Sequence, residues 1–261
     1  MDTSGSSILG RLASSDVDVR RLALTEQEEL LEVASYRDLL PLLDDEDTTV
    51  RKLTIQLLEE LGDSRALPDL LKAAADPDPD VASVATTAIR EFRTTESTAT
   101  LLSGVTNSEP KIRAAAILAL RGIKDPRAQI ILAEAAGDPI TEVRREAVLA
   151  LGYLKASDTI PVFRAALNDP DDEVRRFAID ALSQFELTDV SDFVRMVADP
   201  AWRVRRQAAN ALAKHPSEVG ELILLKSLDD ERWEVAREAI LALGKLRTRS
   251  PNSSPRSLLT S

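Results

Sequence analysis

Apolar residues return along this chain in a fixed relation to a β-branched anchor that recurs every 30 or 31 positions: Val19, Val50, Val81, Ile112, Val143, Val174, Val204 and Val235. Counted from each anchor, positions +4, +7, +8 and +11 are apolar, which is the spacing of one face of an α-helix. Position +4 holds Ala23, Thr54, Ala85, Ala116, Ala147, Ala178, Ala208 and Ala239, small residues that let neighbouring helices approach closely. Position +8 holds Leu58, Ile89, Leu120, Leu151, Leu182, Leu212 and Leu243. Ahead of each anchor, apolar pairs at −11 and −7, from Ile8/Leu12 to Leu224/Leu228, predict a first helix. Eight helical hairpins of about 31 residues follow, spanning about 6–246. A period of this length marks stacked units, each too small to bury its own apolar face. The expected fold is all-α, a solenoid of stacked hairpins.

The turn inside each hairpin repeats as well. Five residues before the anchor stand Ser14, Asp45, Asp76, Asn107, Asp138, Asp169, Asp199 and Asp230, side chains suited to capping backbone N–H groups. Proline follows four of them and stops the preceding helix. The phrase Asp-Pro-x-x-x-Val-Arg-Arg-x-Ala-x-x-Ala-Leu, at Asp169 to Leu182, resembles a HEAT repeat. The short period makes the chain most similar to the HEAT-like repeats of phycobilisome (bilin) lyase-type proteins. That resemblance implies a right-handed superhelix with the second helix of each hairpin on the concave side. It also implies a structural ladder between hairpins, built here from Asp45, Arg51, Asp138, Arg144, Asp169, Arg175, Asp199 and Arg205.

Departures from the pattern say more about function. Glu26 and Gln27 occupy +7 and +8 of the first hairpin, so residues 6–37 are expected to form an N-terminal cap. Residues 1–5 are expected to be disordered, as is the Ser/Pro/Arg-rich stretch 247–261, with Ser250 and Ser254 as candidate kinase sites. Glycines 62, 122, 152 and 244 are expected to stop helices.

Composition then removes whole classes of chemistry. The formal charge of −11 argues against general nucleic-acid binding. Without cysteine there is no disulfide, thiolate metal site or cysteine nucleophile. The single histidine, His215, replaces an apolar residue at +11 and reads as a core histidine at a helix end. No catalytic residue, metal ligand set or Gly-rich phosphate loop emerges, and no cofactor is expected. With no signal segment or membrane span in the pattern, a cytoplasmic location is expected.

Three features are candidates for a binding surface. A basic row stands at +2, comprising Arg21, Lys52, Arg145, Arg176, Arg206 and Arg237, with acids at −1 able to neutralise it. Leu118 and Leu149 at +6, with Tyr153, place apolar groups on the face expected to be open. Trp202 and Trp233, at −2 of adjacent hairpins, are expected to form a paired aromatic edge. The leading functional reading is a non-enzymatic interaction scaffold or assembly factor. It would hold another protein, through an acidic or amphipathic segment, against Leu118, Leu149, Tyr153, Arg145, Arg176 and Arg206. The resemblance implies an alternative, a bilin lyase or lyase-like subunit acting on phycobiliproteins with bound bilin, or a phycobilisome turnover factor. A DNA glycosylase of HEAT-like fold is a distant reading that the acidic charge opposes. Membrane and nucleic acid are not expected partners, and a monomer or heterodimer is the expected state.

Overall fold

The computed structural model describes residues 7–187 and 189–249, and the expected disordered ends at 1–5 and 250–261 lie outside them. Seventeen α-helices, with short 3-10 turns, make up the described residues. The chain divides into two compact units, Met1–Ala135 and Ala136–Ser261. The first contains α1 (Ile8–Leu12), α2 (Val17–Thr25), α3 (Gln27–Val33), α4 (Tyr36–Leu39), α5 (Thr48–Leu61), α6 (Leu67–Ala73), α7 (Pro79–Ile89), α8 (Thr95–Val105), α9 (Pro110–Ile123) and α10 (Gln129–Ala135). The second contains α11 (Thr141–Leu154), α12 (Ile160–Ala166), α13 (Asp172–Leu182), α14 (Ser191–Met196), α15 (Trp202–Lys214), α16 (Glu218–Lys226) and α17 (Trp233–Arg249).

Each unit is a stack of antiparallel hairpins, the architecture of an α-solenoid. In the second, α12 packs on α13, α14 on α15 and α16 on α17, while the second helices α11, α13, α15 and α17 pack in series. The residue at +4 of every hairpin, from Ala23 to Ala239 and including Thr54, is fully buried. Thr54 tolerates this because its hydroxyl donates to the Val50 carbonyl at 2.8 Å. No helix among the described residues is long and apolar enough to cross a membrane.

Capping follows the sequence with one shift. The turn residue at −5 does not cap the helix; its side-chain oxygen accepts from the backbone N–H two residues on, as Asp169 does from Asp171 at 2.9 Å. The helix N-cap is the residue at −3, where Asp47, Asp78 and Asp171 accept from the first turn.

Three expectations are corrected. Gly122, Gly152 and Gly244 do not stop helices but lie inside α9, α11 and α17. The left-handed stops are Lys124 (φ 56°) and Lys155 (φ 52°), and Gly62 (φ 63°) alone among these glycines serves as one. Gly152 is instead a spacing residue, because a Cβ there would stand 3.3 Å from the Ala181 Cβ. Helix α17 continues through Arg249, so residues 247–249 are helical rather than tail. Finally, the second helix of the first hairpin breaks. Arg11 ion-pairs with Glu26, α2 ends at Thr25, and the added helix α3 buries Leu30 completely.

Candidate functional site

The arginine at +1 holds successive turns together. Arg175 donates from Nε and Nη2 to the Asp199 carboxylate, both at 2.8 Å, and from Nη1 to the Asp169 carbonyl of its own turn, also at 2.8 Å. Arg144 does the same to Asp169 and Asp138, and Arg205 to Asp230 and Asp199. In the first unit Arg20 reaches Asp45 and Arg51 reaches Asp76. Asp45, Asp76, Asp169, Asp199 and Asp230 therefore each brace their own turn and receive the preceding arginine. The bidentate geometry matches the guanidinium fork to the carboxylate. Asp230 is held below the usual carboxylate range, first by its Arg205 partner.

The arginines at +2 form an outer row whose partners change along the chain. Arg21 pairs with Asp47, the next hairpin's N-cap, and pulls that carboxyl down to about 2. Arg145 pairs with Asp171 in the same way, also lowering the carboxyl's pKa. Arg176 finds Ala201 at the corresponding position and turns back to Glu173 at 2.6 Å. Arg206 meets Arg232 there, a charge of its own sign. Among the described residues Arg206 forms no ion pair, and its guanidinium lies 5.5 Å from the Trp202 ring centroid.

Around that ring the chemistry concentrates. The guanidinium of Arg203 lies 4.9 Å from the Trp202 centroid and that of Arg232 lies 5.0 Å away, within cation–π range. Trp202 is half-buried, Arg203 and Arg232 are exposed, and Trp233 is 68% exposed. Two carboxylates approach the group. Glu234 pairs with Arg232 at 3.1 Å, and Glu173 is pulled below its ordinary value first by Arg176 and in lesser part by Arg203. Three guanidiniums thus share one indole in a chain of net charge −11, and among the described residues Arg203 and Arg206 have no ion-paired carboxylate. The two tryptophan rings do not meet; the Arg232 guanidinium, not Trp233, lies against Trp202. The paired aromatic edge is thereby corrected to an arginine-coated platform with Trp233 exposed next to it in sequence.

The other candidates are spread out. Leu149 is half-buried and Tyr153 is 52% exposed, one helical turn apart on α11. Leu118 is half-buried on α9 of the first unit. Arg145 and Arg176 are engaged by carboxylates and offer less free charge than the row at +2 implied. Sequence reasoning missed Arg203 and Arg232. Their signal was charge reversal at repeat positions, because Arg203 stands at −1 where Asp18, Asp80, Glu142, Glu173 and Glu234 are acidic. Arg232 stands at −3, where Asp16, Asp47, Asp78 and Asp171 are acidic.

Little else is chemically equipped. A groove of 510 Å³ beside α6 and α8 carries one charged side chain, Lys72, already held by Asp69 at 2.8 Å. No group of His, Asp and Glu among the described residues could hold a metal ion.

A family model described as HEAT repeats matches at residues 6–89, 67–142, 132–213 and 193–258. No curated protein matches the chain. Among solved structures, YibA of Escherichia coli is similar at 21% identity, covering 87% of each chain with a TM-score of 0.60. An engineered protein is similar at 19% identity over 92% of this chain and 78% of its own, with a TM-score of 0.54. Kap95, in its complex with Nup1, is similar at 14% identity over 94% of this chain, with a TM-score of 0.65. This chain spans 42% of Kap95's length. These likenesses concern the fold.

Proposed function

The chain belongs to the HEAT-repeat family, and from that premise we propose that it is a non-enzymatic scaffold holding an acidic segment of a partner protein against its second helices. The observation that carries this reading is the Trp202 platform, where Arg203, Arg206 and Arg232 gather on one indole and two of the three lack an ion-paired carboxylate among the described residues. Tryptophan and arginine are the side chains that anchor protein interfaces most often. Clustered guanidiniums favour carboxylates, and the acidic remainder of the chain repels acidic segments elsewhere. Kap95, a longer chain of similar fold, binds RanGDP and forms a complex with Nup1, so protein binding by a fold of this kind supports the reading. The exposed Tyr153 and half-buried Leu149 would extend the contact along the same layer of helices.

Trp202 and Trp233 are the only tryptophans, so intrinsic fluorescence reports on this surface directly. Titration with a synthetic peptide rich in glutamate and aspartate around a central phenylalanine is expected to shift the emission, less so at high salt. Arg203→Glu with Arg232→Glu should abolish the response, while Arg21→Glu in the first unit should retain it. An unchanged emission, or equal binding by the double variant, would sink the proposal. The bilin-lyase alternative rests on repeat type alone; bilin absorbance retained by the purified chain would bring it forward.

A further inference from the structure

One junction in the first unit lacks the pairing that the repeat provides elsewhere. In the sequence an arginine at +1 meets an aspartate at −5 of the next hairpin at every step but one, where Ala82 meets Asn107. Asn107 still accepts the Glu109 N–H at 2.8 Å and braces its own turn, but Ala82 has no guanidinium to send to it. The outer row gives no substitute, because Ser83 stands at +2. A third change lies at +5, the position that packs toward the following hairpin. Leu24, Ile55, Ile117, Val148 and Ile179 are fully buried there, whereas Ile240 of the last described hairpin is 61% exposed. Thr86 takes that position on α7, half-buried, with its hydroxyl donating to the Ala82 carbonyl at 2.9 Å. Helices α7 and α9 accordingly pack on each other less than any other successive second helices within a unit.

We infer that this junction is a hinge, at which the α8–α9 hairpin tilts on the α6–α7 hairpin. The pivot is a close contact in the first-helix layer. Gly104 of α8 lies so near its neighbours that a Cβ there would stand 2.8 Å from the Ala116 Cβ and 3.3 Å from Leu71 Cδ1. Leu71 belongs to α6, so the backbone of one hairpin rests on a side chain of the other. Room for the tilt is the 510 Å³ groove, lined by Pro68 and Leu71 of α6 and by Ala99 and Ser103 of α8. Closing that groove about Gly104 parts α7 from α9, where neither a ladder pair nor a large apolar side chain at +5 of α7 resists. In a stack whose hairpins touch only their neighbours, the weakest interface takes up the bending. One junction earlier, the same tilt would strain the pair of Arg51 with Asp76, whose side chains are only 11% and 9% exposed. The hinge changes the curvature of the second-helix layer within the first unit, and it is independent of the Trp202 platform in the second.

The chain has no cysteine, so introduced pairs take spin labels at chosen sites alone. Glu60→Cys with Gly122→Cys places two exposed labels at +10, two hairpins apart, with the hinge between them. Gln184→Cys with Lys245→Cys places the equivalent pair across junctions whose ladder is complete, Arg175 with Asp199 and Arg205 with Asp230. Double electron–electron resonance on the full chain should give a broader distance distribution for the first pair than for the second. Ala82→Arg with Asn107→Asp restores the ladder and should narrow the first distribution to the width of the second. Thr86→Ile, which involves no charge, should narrow it independently, with helicity by circular dichroism unchanged in both cases. Distributions of equal width in the otherwise wild-type chain overturn the proposal, as does a broad one that neither restoration narrows. Acidic-peptide binding by the ladder-restored protein tests the scaffold reading separately, because Trp202 and its arginines are untouched.

Discussion

Arg145 donates hydrogen bonds of 2.9 and 2.6 Å to the carboxylate of Asp171, the N-cap of the next second helix. The same pairing is impossible one hairpin on, because Ala201 replaces the aspartate and Arg176 folds back onto Glu173. A hairpin later, Arg232 stands at that position and Arg206 is left to Trp202. The outer row thus changes from structural pairing to free cation as two residues depart from the repeat.

Restoring the missing acid should convert binding surface back into structure. Ala201→Asp supplies an N-cap to α15 and a partner to Arg176, and is expected to stabilise the protein by about 0.5–1 kcal/mol in urea unfolding. The same change places a carboxylate in the hairpin that carries Trp202 and should weaken acidic-peptide binding several-fold. Tighter binding by this variant would contradict the electrostatic basis of the proposed function.

The inner ladder is more costly to break. The Asp199 side chain is 4% exposed and that of Arg175 is 12%, and the aspartate also accepts the Ala201 N–H at 2.8 Å. Asp199→Ala leaves a largely buried guanidinium unpaired and a turn N–H unmet, a loss of about 2–4 kcal/mol. Arg127→Ala, which removes only an exposed pair with Asp125, should leave the urea midpoint unchanged. Equal midpoints for the two variants would show that the ladder adds nothing.

Much of this fold is legible in the chain because one small residue recurs at one position. All eight +4 residues are fully buried, and the period alone located them. The α2–α3 break was less legible, since it turns on the ion pair of Glu26 with Arg11, fifteen positions away. The helix stops at Lys124 and Lys155 were hidden for a different reason. Each glycine nearby suggested a left-handed cap, but α9 runs one residue past Gly122 and α11 two past Gly152, which places the positive φ on Lys124 and Lys155. The platform was half legible. Its tryptophans stood out by rarity, whereas Arg203 and Arg232 become visible only when charge is compared position by position between repeats.

Burial at +4 leads to a test of register. Ala178 is fully buried on α13, between helices that pack through small side chains. Ala178→Glu forces a carboxylate into that contact and is expected to cost more than about 3 kcal/mol. Loss of the cooperative unfolding transition would confirm the register, and a native melting curve would refute it.

His215 gives the stability a pH dependence of predictable sign. Its ring is buried at the end of α15, 5.3 Å from the Phe193 ring centroid, with Nε2 3.4 Å from the Ser183 carbonyl. Burial holds its pKa below the ordinary 6.5; the Ser183 carbonyl opposes that shift and the Lys214 charge adds to it. The unfolded chain therefore takes up the proton near pH 6.5 while the folded chain resists it to lower pH. Between those two values the unfolded state binds more protons, so stability is complete above 6.5 and declines as pH falls below it. His215→Phe, which places at +11 the residue found there as Phe92 and Phe185, removes the titrating group. The wild type should lose melting temperature between about pH 7 and pH 5, and the variant should lose less over that interval, where the paired carboxylates remain ionised. Parallel melting-temperature profiles for the two proteins would mean that His215 titrates alike in the folded and unfolded chains, and that its burial carries no electrostatic cost.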